Sequence, residues 1–140
     1  MTSNDSDKSR RRLQWALTAC AAAPTISGAL QILRGAQGAP GSPHDISATI
    51  DGELRYANVF KAAIGPVIWS QLGRADTSPI VTAALGAVFL GGVARLLSWH
   101  QRGKPDSAAV VAIGLEVGIV PLLVAWRYRI AARTVRGRPY

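Results

Sequence analysis

Cysteine is nearly missing from this 140-residue chain: Cys20 stands alone inside an apolar run. No internal disulfide and no thiolate metal site can form from it, and it reads as a small apolar residue. Histidine is almost as scarce. His44 and His100 would have to converge with Asp45 from two separate loops, without the ligand spacing of a zinc site. No metal and no cofactor is therefore expected. The Gly35–Gly41 loop is followed by no Lys-Ser/Thr pair, which excludes a phosphate-cradling loop. Paired carboxylates suit acid–base work, but Asp51 and Glu53 are two residues apart and point to different faces of a helix. Ser98 and His100 diverge in the same way, with no third group to orient them. The absence of any assembled site predicts that the chain is not an enzyme.

Acidic residues are few, 8 against 16 basic ones, and lysine supplies only three of those cations. The excess sits mostly at the ends: Lys8, Arg10, Arg11 and Arg12 in front, then Arg127, Arg129, Arg133, Arg136 and Arg138 behind. Basic tails can mean nucleic acid. Here each tail abuts an apolar segment, which instead matches the cytoplasmic flanks of membrane helices. No nucleic-acid partner is expected; the lipid bilayer is.

The middle of the chain is what charge leaves alone. Leu13–Leu33 holds 21 residues without a charge, about 31 Å as a helix. That is too long for the apolar core of a secretory signal, so a retained first span is predicted. GAQGAPGSP, Gly35 to Pro43, is too rich in Gly and Pro for a helix or a ladder. A second helix, 47–72, starts with three charges in Asp51-Gly52-Glu53-Leu54-Arg55-Tyr56 and carries Asn58 and Lys61 in its apolar part. Asp51, Arg55, Asn58, Ala62, Gly65 and Trp69 share one of its faces by i+3 and i+4 spacing. Helices over 77–99 and 107–128 follow. About 20 apolar residues cross a bilayer core, so the expected fold is all-α, a four-transmembrane-helix antiparallel bundle over 13–131. Residues 1–12 form a disordered basic tail and 132–140 a second basic tail.

Four spans put both termini on one side. That side carries ten cations, the tails plus Arg74, against Arg34, Arg102 and Lys104 opposite. The positive-inside tendency places both termini in the cytoplasm of a cell inner (plasma) membrane protein. Trp15, Trp69 and Trp126 then mark the inner boundary and Trp99 the outer one, as an aromatic belt requires.

Two charges interrupt the last apolar runs. Arg95 lies in the third, Glu116 in the fourth, and a charge at that depth is normally met by a partner or by water. Arg95 sits about 6 Å and Glu116 about 13 Å deep at 1.5 Å per residue. Side chains lean towards the N-terminus of their own helix, so in antiparallel neighbours these two approach. An ion pair is predicted, and stranding one member of a buried pair costs about 3–5 kcal/mol. The wider polar set is Asp51, Glu53, Arg55, Tyr56, Arg95, Ser98, Trp99, His100 and Glu116, all in the outer half. Ala83, Ala87 and Gly91 recur every four residues with Arg95, a small-residue stripe that lets helices approach. Gly114 and Gly118 form a Gly-x-x-x-Gly pair facing away from Glu116, which suggests a homo-oligomer or a larger membrane-protein partner.

The phrases Asp51-Gly52-Glu53-Leu54-Arg55-Tyr56 and Gly91-Gly92-Val93-Ala94-Arg95-Leu96-Leu97-Ser98-Trp99, with Gly103 and Pro105 behind and a Glu in the last helix, resemble a family of small bacterial four-helix membrane proteins. The family is known as domain of unknown function 4345, and the resemblance covers about Leu13 to Ala131. It implies the fold and an integral membrane location, and no activity. The functional expectation is a structural or accessory membrane subunit with a charge-paired outer half. The alternative is a small-molecule or proton binding or transport module built on the intramembrane Arg/Glu/Asp cluster.

Overall fold

Helix boundaries follow local chemistry closely in a computed structural model of the chain, which describes residues 3–39, 41–42 and 45–136, with side chains for 7–39, 41–42 and 45–132. Ser47 opens α2, Ala48–Ser70, its hydroxyl accepting from the Ile50 amide at 3.4 Å. Ser78 opens α3, Pro79–Arg102, with proline in the first turn, where a missing N–H costs nothing. Asp106 opens α4, Ser107–Gly114, its carboxylate accepting from the Ala108 amide at 2.8 Å. At the other ends, Gly35 follows α1, Ser3–Arg34, at φ 66°, and Gly103 follows α3 at φ 92°. α4 runs without a break through one π-helical turn, Leu115–Ile119, into α5, Val120–Arg136. The molecule is thus four rods, and no strand occurs among the described residues.

Three rods are long and apolar enough to cross a membrane: Asp7–Arg34, Pro79–Arg102 and Ser107–Ala132. α2 has the length, 23 residues or about 34 Å, but Asp51, Glu53, Arg55 and Lys61 keep it out of that set.

α1 and α2 pack along each other. A Cβ on Gly28 would stand 2.7 Å from the Ala62 backbone nitrogen, and Thr25 Oγ1 accepts from the Gly65 amide at 2.8 Å. Of the face of α2 expected from spacing, Asn58 and Gly65 are buried; Ile68, outside that set, is buried as well, and Trp69 is exposed. α1 meets the fourth rod through α5, while α3 lies against α4, the π turn and α5, and touches α2.

Burial is strongly one-sided. Leu13, Leu17, Ala21, Ile68, Ala75, Val81, Leu85, Val120, Leu123 and Ile130 form one apolar core. All lie near the beginning of α1, the end of α2, the start of α3 and α5. The molecule therefore has a filled end, where the start of α1, α5 and the α2–α3 link meet, and a loop end that the core does not reach.

The filled end corrects three expectations. The first twelve residues are not a separate tail, because α1 already begins at Ser3. Arg10 donates to the Gly73 carbonyl and pairs with Asp76 at 3.4 Å, and Trp126 Nε1 reaches Ser9 Oγ at 3.4 Å. These long-range contacts give the polar leading turns somewhere to dock. The fourth rod continues to Arg136 rather than ending at 128, so residues 132–136 are helix and not tail; the rest of the expected second tail lies outside the described residues. Arg127 is not a solvated flank either: it is 2% exposed. Its guanidinium donates to the Ala75 and Ser78 carbonyls and, at 2.9 Å, to Thr82 Oγ1. Acceptors freed at the α2–α3 link draw the side chain inward, where its five donors in a fixed fork fit them.

Candidate functional site

At the loop end the space between rods is a cleft of about 730 Å³. α1 contributes Pro24 and Gln31, α2 Leu54, Asn58, Phe60, Lys61 and Ile64, α3 Val88, Arg95 and Ser98, and the π turn Glu116. Such a volume falls within the range of small-molecule sites, about 300–1,000 Å³, and so does a mainly apolar lining with a few convergent polar groups.

Arg95 and Glu116 meet across α3 and the fourth rod, Nε to Oε2 at 3.2 Å, with side chains 37% and 16% exposed. The pair anticipated from two lone charges is present. Its placement rests on two features that periodicity does not reveal. The π turn carries Glu116, and π turns widen a helix locally and recur at functional positions. Gly92 removes the obstacle: a Cβ there would stand 2.7 Å from Glu116 Cβ and 2.8 Å from Val117 Cγ2.

That contact also corrects the small-residue stripe. Ala83, Ala87 and Gly91 are exposed, and a Cβ on Gly91 would meet nothing within 4 Å. The close approach is made one residue round the helix by buried Ala84 and Gly92. Ala87 and Gly91 line the cleft instead. Gly114 and Gly118 are exposed with open space around them.

The outer polar set divides. Asp51 and Arg55 form an i,i+4 pair at 2.7 Å that closes the end of α1: Asp51 Oδ1 accepts from the Ala36 amide at 2.6 Å, and Arg55 donates to the Ile32 and Leu33 carbonyls. Carbonyls at a helix C-terminus are favourable neighbours for a guanidinium. Gly35 is required here twice over, by its positive φ and because a Cβ would overlap both Asp51 and Arg55 side chains. Glu53, Tyr56 and His100 are exposed away from the cleft, Tyr56 edge-on to Phe60, and Trp99 is half-buried outside it. Of the expected polar set, Arg95, Ser98 and Glu116 line the cleft.

Sequence reasoning missed Gln31, Asn58 and Lys61 as members of the site. Lys61 Nζ donates to Gln31 Oε1 at 3.3 Å, and Asn58 Nδ2 to the Leu54 carbonyl at 2.7 Å. The signal was there, since Lys61 and Asn58 interrupt the apolar part of α2 and each calls for a polar partner. Among the described residues no group of three His, Cys, Asp or Glu side chains could hold a metal ion; His44 lies outside them.

The family model described as Domain of unknown function (DUF4345) matches residues 12–127. No curated protein and no solved structure matches the chain.

Proposed function

The chain belongs to the DUF4345 family, in which no activity is assigned, and from its geometry we propose an integral membrane protein that binds a small molecule in its loop-end cleft without chemical conversion. The observation that carries this is the contrast between the two ends. A subunit that needed only fixed helix register would fill both with apolar side chains; here one half holds a cleft with Lys61, Arg95 and Glu116 on its walls.

In this reading α2 is the fourth span. Asn58 is buried, Lys61 turns into the cleft, and Ile50, Val59 and Val67 are exposed apolar side chains that would meet lipid. Asp51 and Arg55 belong at the headgroup level. The cations around the filled end support cytoplasmic termini by the positive-inside tendency, and the membrane in this reading is the inner (plasma) membrane. A reporter active only in the cytoplasm should work when fused after Tyr140 and be silent between Gly38 and Ser42; activity at the loop refutes the topology.

Binding is tested by thiol labelling in a Cys20→Ala background. Ser98→Cys and Ala94→Cys face the cleft and should react with an impermeant reagent added from outside, whereas Leu97→Cys on the exposed face should not. No reaction at either cleft position ends the open-site reading. Exposed Gly114 and Gly118 favour a second reading, an accessory subunit that seats a helix of another copy or of a larger membrane partner there.

A further inference from the structure

The charged side chains that line the cleft are Lys61, Arg95 and Glu116, two cations and one anion. Glu116 is committed to Arg95 at 3.2 Å. Lys61 is half-buried, and its hydrogen-bond partner is a neutral one, the Gln31 amide oxygen at 3.3 Å. An ammonium has three donors, so two remain for whatever enters. Glu116 also acts on Lys61, but one carboxylate cannot neutralise both cations, so the cleft keeps a positive charge in excess. A half-buried cation in that position is costly, and an incoming anion would lower the cost. Around it the walls are Pro24, Phe60, Ile64 and Val88, which offer an apolar body contact but few hydrogen bonds.

We infer that the ligand is a single-chain amphiphile bearing one negative group, a carboxylate or phosphate monoester, docked on Lys61 Nζ with its apolar part along Phe60, Ile64 and Val88. This rests on the binding reading above. The volume, about 730 Å³, equals roughly 24 water volumes at about 30 Å³ each. It accommodates a headgroup with one medium chain. The same chemistry is carried by a free amphiphilic acid and by an anionic lipid that lends its headgroup and one chain.

The test uses the full chain purified in dodecyl maltoside, titrated with decanoate, decanol and decyltrimethylammonium at a pH where decanoate is ionised, and read by thermal shift and native mass spectrometry. Decanoate should bind about tenfold or more tighter than decanol, the worth of one charge-assisted hydrogen bond, and the ammonium weakest. Lys61→Gln should bring decanoate down to the level of decanol, while Lys61→Arg and the exposed loop variant Lys104→Gln keep the preference. Retained decanol binding shows that Lys61→Gln is folded. If wild type and Lys61→Gln bind all three probes alike, the anion inference is overturned and the binding reading stands. If none of the probes binds, both fall. Added phosphatidylglycerol separates the sources: displacement of decanoate assigns the anion to a lipid, and no displacement assigns it to a free acid.

Discussion

Removing the two members of the Arg95–Glu116 pair should have unequal consequences. A fully buried pair loses about 3–5 kcal/mol when one partner goes, and an exposed one about 1 kcal/mol or less. This pair lies between, because Arg95 is 37% exposed and Glu116 only 16%. The open cleft therefore lowers the cost below that of a sealed pair. Arg95→Leu strands the more buried group, with Lys61 as a distant substitute, and should cost about 2 kcal/mol. Glu116→Leu leaves a guanidinium that can turn towards the cleft, and should cost about 1 kcal/mol, both figures interpolated between those limits. The double variant should cost about 1.5 kcal/mol, so that the singles sum to well above it. Equilibrium unfolding in mixed micelles, followed by circular dichroism, gives all three values. A double variant equal to the sum within about 0.5 kcal/mol would refute the pair as an energetic unit. If Glu116→Leu proved the costlier single, the burial argument would fail even with the pair intact.

Other outcomes follow from the same contacts. Gly92→Ala should destabilise by about 1–3 kcal/mol through overpacking against Glu116 and Val117, whereas Gly91→Ala, into open space, should stay within about 0.5 kcal/mol; equal melting temperatures for the two would contradict the packing face. Arg127→Ala should cost about 1–3 kcal/mol by taking away the donor of the Ala75 carbonyl, and Arg127→Lys should not restore it, because an ammonium cannot span three acceptors in a plane. A Lys variant as stable as wild type argues against the fork.

Much of this was legible in the sequence. The rods were readable because charge is excluded from long apolar runs, and the Arg95–Glu116 contact because each is the lone charge in its run. Three things were not. Gly91 and Gly92 are adjacent and both small, so composition could not choose between faces a hundred degrees apart; only the partner rod decides. Arg127 is contiguous with Arg129 and Arg133, and nothing local marks it as the one drawn inward by carbonyls at Ala75 and Ser78. The π turn has no residue signature, since Leu115–Ile119 is ordinary helix-compatible sequence. Lys61 was a different failure: its oddness in an apolar segment was visible, but the cleft that explains it is a property of how four rods diverge.

That divergence also makes the filled end a fulcrum. From Ile68, in the core, to Asp51 at the loop end α2 rises through 17 residues, a lever arm of about 25 Å. A tilt of α1 and α2 together by only about 5° about the core would carry their loop-end tips roughly 2 Å, by simple trigonometry on that arm. Packing at the filled end barely changes under so small an angle, while the mouth of the cleft changes by more than the width of a bonded atom. Stability and aperture are thus governed by residues at opposite ends of the same rods, and a substitution can alter one with little effect on the other.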